Sequence, residues 1–241
     1  MRIVDGAGRV VGYDVATGQE VNEIAGAKVI QNIGGLGRAL APIYKLPQGA
    51  GDTPYTIYLT GSSLRDAADH TLLINGPGYS ISVEDIDLRP DEEARITVSP
   101  DGYQLAFTAS ETGLWSPSIH FALDPADRAA DSYLIDMGGI RLDAHSTVTA
   151  IVDLAQGQLR FVDDDEDSDI YAFAVTRIGP DGSEFVFRND GVEVAALADG
   201  VMHVGEWDGV GAMPFVVDGE MMRFENEMGG VHMIYLPVLH R

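Results

Sequence analysis

The residues of this chain best suited to chemistry form an acidic run at positions 163–169, with the sequence DDDEDSD. Calcium binds about six to eight oxygen atoms, and a loop this rich in carboxylates can supply several of them. Asp163, Asp165 and Asp167 have the spacing of the first three EF-hand ligands. However, Ser168 stands where an EF-hand needs glycine, and Ala174, at the twelfth position, cannot bind a metal ion. The run therefore predicts either a Ca2+ site of another kind or a solvated acidic loop. The candidate metal ligands are Asp163, Asp164, Asp165, Asp167 and Asp169.

Other motifs for catalysis or metal binding are scarce. The chain has no cysteine, which excludes disulfides, thiol catalysis, iron–sulfur clusters and cysteine-based zinc sites. Its six histidines lack the HxH and HExxH spacings that bring two imidazoles to one metal ion, and there is no GxSxG motif. The 38 acidic residues leave a carboxylate pair for glycan hydrolysis open, but no pair stands out. We therefore expect a non-catalytic protein, with a carboxylate-based glycan hydrolase as the alternative.

Aromatic residues in or beside the predicted strands raise a second possibility, an aromatic face that binds carbohydrate. β-Proteins normally pack their aromatic residues against cross-strand neighbours and at strand ends, so packing is the favoured interpretation and carbohydrate binding the alternative. The residues concerned are Trp115, Trp207, Tyr55, Tyr58, Tyr79, Tyr103 and Tyr171.

Net charge limits the partners of the protein. The chain has 38 acidic and 15 basic residues, a formal charge of −23. Binding to a phosphate backbone depends on clustered cations, so nucleic acids and anionic membranes are poor partners. No apolar stretch reaches the roughly 18 residues of a membrane-spanning helix, and no signal peptide follows Met1. The sequence predicts no membrane span and, by default, a cytoplasmic location or a processed form.

The elements that must position these residues are β-strands. Short alternating runs are separated by Gly-, Pro- and Asp-rich turns, as in GPGYSISVEDIDLRPDEEARITVSPDGYQLAF at 76–107. This pattern predicts an all-β, antiparallel, sandwich-like fold of about three four-stranded units, with a β-trefoil or β-prism as the alternative. Helix content should be below about a tenth of the residues, limited to short turns at 64–69 and 125–130.

The predicted organisation has an N-terminal hairpin region, residues 1–53, followed by an all-β domain, residues 54–241. The domain contains three approximate repeats, 54–117, 118–169 and 170–218, and ends in a closing strand that includes the apolar run Met233–Leu239. Isolated hairpins are marginal in water, so the N-terminal region must dock on the domain or on a neighbouring subunit. Because open sheets leave edges that template another chain, we expect a homo-oligomer.

The segment GRVVGYDVATGQEVNEIAGA, residues 8–27, resembles a motif of the type GRRTGYDPATGQ-VNEIPGA found in β-rich modules of large bacterial secreted or surface proteins. Val15 and Ala25 stand where that motif has proline. The resemblance covers about twenty residues and implies an extracellular or cell-surface location and a binding or structural role. Together with the absence of catalytic motifs, it predicts a non-catalytic structural, surface or self-assembling module with a candidate divalent-cation site.

Overall fold

The computed structural model describes residues 1–14, 17–31, 41–47, 53–90, 92–110, 115–127, 129–205, 207 and 209–227. These residues form nineteen β-strands and no helix, which confirms the predicted all-β class and low helix content. The N-terminal strands are β1 (Arg2–Val4), β2 (Val10–Asp14), β3 (Gln19–Asn22), β4 (Lys28–Ile30) and β5 (Ile43–Lys45).

The remaining strands follow with short connections. The next seven are β6 (Tyr55–Thr60), β7 (Ala68–Gly76), β8 (Tyr79–Leu88), β9 (Glu93–Val98), β10 (Gln104–Thr108), β11 (Ser118–Leu123) and β12 (Ser132–Gly138). The last seven are β13 (Thr147–Asp153), β14 (Gln158–Asp163), β15 (Asp169–Ile178), β16 (Glu184–Val194), β17 (Asp199–Met202), β18 (Met213–Val217) and β19 (Glu220–Phe224).

Most of the strands belong to two antiparallel sheets. The large sheet has eleven strands in the order β19-β18-β17-β14-β13-β10-β9-β6-β1-β2-β3. The small sheet has six strands in the order β16-β15-β12-β11-β8-β7, and β4 and β5 form a separate pair. Both sheets are open over the described residues, so the chain forms neither of the closed alternatives, the trefoil and the prism.

From β7 onward, successive hairpins alternate between the two sheets. Hairpins β7–β8, β11–β12 and β15–β16 lie in the small sheet, and hairpins β9–β10, β13–β14 and β17–β18 lie in the large sheet. One small-sheet hairpin and the large-sheet hairpin after it make a four-stranded unit, and the described residues contain three such units. The predicted divisions at 118 and 170 fall at the first residue of β11 and at the second residue of β15.

The inner faces of the two sheets share one hydrophobic core. Alternate residues are buried along the central strands, as expected when one face of each sheet is covered. Phe161 of the large sheet packs against Phe173 of the small sheet with ring centroids 5.5 Å apart, and Phe173 lies 6.1 Å from Phe215 of the large sheet. Each such buried ring contributes on the order of 2 kcal/mol to folding. These contacts join the sheets into a sandwich.

The N-terminal strands extend the large sheet. β1 pairs with β6, so the described part of the N-terminal region docks on the main body of its own chain. Ile3, Val11 and Ile24 are buried in the common core. The β4–β5 pair packs against the same core through Val29 and Tyr44.

Of the two segments predicted as short helical turns, the first is wrong over the described residues. β7 begins at Ala68, which pairs with Leu88 of β8, so residues at the end of the first segment belong to a ladder. In the second segment the N–H of Ala130 donates to the carbonyl of Asp127 at 3.0 Å, which closes a single turn, and the described residues of the segment contain no helix. Pairing with β8 overrides the helix-favouring side chains of the first segment, since the propensity differences amount to less than about 1 kcal/mol per residue.

The chain leaves the large sheet after β19 and crosses to the small sheet. The N–H of Glu227 donates to the carbonyl of Arg188 at 2.8 Å, and the side-chain amide of Asn226 donates to the carbonyl of Val186 at 2.9 Å. Segment 225–227 therefore covers part of the outer edge of β16. The predicted closing strand, Met233–Leu239, lies outside the described residues.

Candidate functional site

The acidic run lies at one end of the sandwich, where three connections meet. These are the β12–β13 connection (139–146), the β14–β15 connection (164–168) and the β16–β17 connection (195–198). The N–H of Asp143 donates to the Asp165 carboxylate at 2.7 Å, and the N–H of Leu197 donates to the Asp165 carbonyl at 2.9 Å. Asp165 thus links all three connections.

Two of the predicted metal ligands come together with a third carboxylate from another connection. One oxygen from each of Asp143, Asp165 and Asp167 lies within 4.8 Å of the others. Asp165 is buried, with 2% of its surface exposed, while Asp143 and Asp167 are exposed. The three residues form the acidic cluster of this protein.

The other three predicted ligands have separate positions. Asp163 is buried and accepts hydrogen bonds from the Tyr171 hydroxyl and from the N–H of Asp165. The Asp164 carboxylate accepts a hydrogen bond from the N–H of Thr147, across the β13–β14 hairpin. Asp169 is buried and accepts the N–H of Arg141 at 3.1 Å. Each of these three side chains satisfies a polar group of its own local structure.

Burial and hydrogen bonding act differently on the acids of the run. Burial raises the pKa of Asp163, and the bond from Tyr171 offsets this effect only in part. Burial likewise raises the pKa of Asp169. Burial also acts to raise the pKa of Asp165, but hydrogen bonds from backbone N–H groups and a serine hydroxyl outweigh it, and the pKa is lowered. Burial, followed by the charge of Asp163, raises the pKa of the Tyr171 hydroxyl far above its ordinary value.

The acidic cluster can close loops and offers oxygen ligands. Both carboxylate oxygens of Asp165 accept backbone N–H groups, from Asp143 at 2.7 Å and from Asp167 at 3.0 Å. Hydrogen bonds to a charged acceptor are about twice as strong as neutral ones, so this carboxylate holds the connections in place. A calcium ion takes about six to eight oxygens, and the three carboxylates can supply some of them.

Asp143 was not among the predicted ligands. It belongs to the connection that follows Gly138-Gly139, which the sequence marks only as a turn. It lies 22 residues from Asp165 in sequence. It reaches the acidic run because β13 pairs with β14 and β12 with β15. Those pairings are the signal that would have identified it, and a single sequence does not contain them.

A second polar group lies on the outer face of the small sheet. Ser82, His120 and Asp136 are direct cross-strand neighbours, and their types are those of a serine-hydrolase triad. His120 Nδ1 lies 2.7 Å from Asp136 Oδ1, but the Ser82 hydroxyl donates to Glu84 at 3.2 Å instead of to the imidazole. The His120 and Asp136 side chains are 35% and 54% exposed on an open sheet face. This arrangement does not pair a nucleophile with a base.

The aromatic residues considered for carbohydrate binding mainly pack inside the protein. Trp115, Trp207 and Tyr171 are buried. Tyr55, Tyr79 and Tyr103 are partly buried against the core, and Tyr58 lies under the Arg2 guanidinium at 4.3 Å. These positions agree with the interpretation that the aromatic residues serve mainly in packing.

The described part of the motif at 8–27 builds a hairpin. It spans β2 and β3, which pair from Val11–Asn22 to Asp14–Gln19. A Cβ at Gly12 would lie 2.5 Å from the carbonyl oxygen of Met1, so β2 requires glycine where it passes β1. The motif residues seen here fix local backbone geometry.

Comparisons with models of protein families, with curated proteins and with solved structures find no match. Over the described ranges the protein contains no helix with the length and apolar character needed to cross a membrane. Fold and geometry together define a β-protein with two main antiparallel sheets, in which hydrogen bonds to Asp165 join three connections at one end of the sandwich.

Proposed function

We propose that this protein is a non-catalytic structural β-module that associates with further copies of itself. The observation that carries the proposal is the open architecture, in which units of paired hairpins share one core and the large sheet ends in β19 and β3 without further pairing over the described residues. Open sheet edges present N–H and C=O groups that pair readily with another chain.

The chemistry of the described residues agrees with a structural role. The acids of the run are engaged in closing connections, and the cross-strand serine, histidine and aspartate lie on an exposed face. The resemblance of residues 8–27 to a motif of bacterial secreted or surface modules supports the same role. The divalent-cation site at the acidic run stays a prediction, which calcium titration tests.

Light scattering on the full chain tests self-association. The formal charge of −23 opposes contact between copies, and salt reduces this repulsion because the screening length is about 8 Å near physiological ionic strength. We therefore expect the average mass to rise above 25.8 kDa with protein concentration, and to rise further when sodium chloride is added.

A mass of 25.8 kDa at every concentration and salt level would contradict self-association. Binding of the full chain to a glycan array, or release of sugars from a bound glycan, would instead favour the carbohydrate-based alternative.

A further inference from the structure

Strand β19 forms one end of the large sheet, and its turn determines which backbone groups face outward. Asp218 and Gly219, with φ of 50° and 83°, make a two-residue turn of the primed type between β18 and β19. The pair flanking such a turn, Val217 and Glu220, is hydrogen-bonded, and bonding then alternates along the hairpin.

Bonds on the other side of β18 confirm this alternation. The carbonyl of Pro214 accepts the N–H of His203 at 3.1 Å, so even-numbered residues of β18 face β17 and odd-numbered residues face β19. Residues 220, 222 and 224 of β19 therefore bond to β18. The N–H and C=O groups of Met221 and Arg223 point away from the sheet.

The outer edge of β19 is open over the described residues. It stands at the end of the strand order, so none of the described strands pairs with it on that side. Met221 and Met222 are 67% and 40% exposed, which is unusual for large apolar side chains on adjacent positions.

The chain itself does not fold back along this edge directly after β19. The carbonyl of Glu225 accepts the side-chain amide of Asn189 at 3.0 Å, and Glu227 is bonded to Arg188, both in β16 of the small sheet. Facing sheets lie about 10 Å apart, so the chain has left the β19 edge by residue 227.

We infer that β19 pairs antiparallel with β19 of a second copy, across a two-fold axis at Met222. This interface rests on the proposed self-association and specifies the edge at which it occurs. An antiparallel pair of identical strands places residues of the same face opposite each other, so the paired residue numbers add to an even sum.

The register centred on Met222 uses every outward group of the strand. It places Met221 of each copy opposite Arg223 of the other, and these two pairs make four backbone hydrogen bonds. Centring the axis on Met221 would place Arg223 opposite the Gly219 turn and lose bonds. The two Met222 side chains then meet on one face, while the Arg223 stem covers Met221 on the other.

Charge at the edge is compatible with this contact. The chain carries −23 overall, but β19 contains one acid, Glu220, and one base, Arg223. The strand itself is therefore formally neutral, but Asp218 and Glu225 flank it, so the contact should strengthen as salt screens their repulsion.

Cysteine cross-linking tests the register, because the natural chain has no cysteine. Across a non-hydrogen-bonded pair the Cα atoms lie about 4.5 Å apart, within the roughly 4.4–6.8 Å range of disulfides. Met222→Cys should therefore form an interchain disulfide in a glutathione buffer. Met221→Cys is the matched control, since the two copies of residue 221 are offset by two positions, about 7 Å along the strands.

We expect the disulfide-linked dimer to form at least about tenfold faster with Met222→Cys than with Met221→Cys. Equal rates, or a faster Met221→Cys, would overturn the register. No cross-link with Met222→Cys in a chain that light scattering shows to be associated would place the contact at another edge. A wild-type chain that stays monomeric at all concentrations would refute the proposed self-association itself, including the case in which the chain's own C-terminal residues cover β19.

Discussion

Phe161 and Gly200 form a contact whose energy can be worked out from the structure. They are directly opposite each other on β14 and β17. A Cβ at position 200 would lie 2.3 Å from Cε1 and 2.4 Å from Cζ of the Phe161 ring, far inside van der Waals contact. The ring is fully buried, and its centroid lies 5.5–5.6 Å from those of Tyr171, Phe173 and Phe215. The ring therefore has little room to move away.

Gly200→Ala should destabilise the protein by about 1–3 kcal/mol, the usual cost of overpacking a core. Phe161→Leu removes the ring atoms that the new methyl group would strike and leaves a cavity, at a cost below the roughly 3–5 kcal/mol of a full Phe→Ala truncation. In the double variant the methyl group introduced at position 200 partly fills this cavity. We expect the double variant to be more stable than the sum of the single effects predicts, by about 0.5–3 kcal/mol.

Urea unfolding of the four proteins measures these free energies, provided that the slopes agree. Gly138→Ala is the matched control, because this strand glycine has only Ala172 nearby, at 3.9 Å, and its substitution should be nearly neutral. Additivity within about 0.3–0.5 kcal/mol, or a neutral Gly200→Ala, would refute the contact between the ring and residue 200.

Two further predictions concern the acidic run. Because burial raises the pKa of Asp163, the protonated form is favoured on folding, so its contribution is fully present below the ordinary value of 3.8 and is lost as pH rises through the raised pKa. Urea unfolding at several pH values measures the difference in unfolding free energy between the wild type and Asp163→Asn. This difference should fall as pH rises over this range. A constant or rising difference would show that burial does not disfavour the charged carboxylate. For the cation hypothesis, calcium should raise the Tm of the wild type by mass action and raise that of Asp167→Asn less. The substitution replaces a charged carboxylate ligand with a neutral, weaker amide oxygen and keeps the backbone N–H that bonds Asp165. Glu166→Gln removes the same charge next door and should respond like the wild type, whereas a wild-type Tm that calcium leaves unchanged would show that the cluster only closes connections.

The strands and turns could be predicted because their signals are local. Residues 76–107 contain β8, β9 and part of β10, and the predicted turn after Val98 closes with the N–H of Gly102 donating to the carbonyl of Ser99 at 3.0 Å. Alternating side chains and turn residues act within a few positions of one another, so a single sequence displays them. The helical turn predicted at 64–69 was wrong because such local preferences are weak compared with a strand ladder, which here begins at Ala68.

The candidate site could be predicted only in part. Asp165 and Asp167 were identified from the density of carboxylates, but Asp163 and Asp169 proved to be buried partners of Tyr171 and a backbone N–H. Local composition does not reveal which acids of a run turn inward. That depends on which side of β14 and β15 faces the opposite sheet.

The sequence by itself determined that this chain is all-β and antiparallel, free of cysteine chemistry and strongly acidic, since these properties follow from composition and from patterns of period two. Only the tertiary structure decided that the hairpins alternate between two sheets, that Asp143 joins the acidic run from another connection, and that β19 ends the large sheet with its edge open over the described residues. The physical reason is that strand order depends on pairings between residues far apart in the chain. The free energies of these pairings come from shared burial and backbone hydrogen bonds, so the residues of one segment alone do not reveal them.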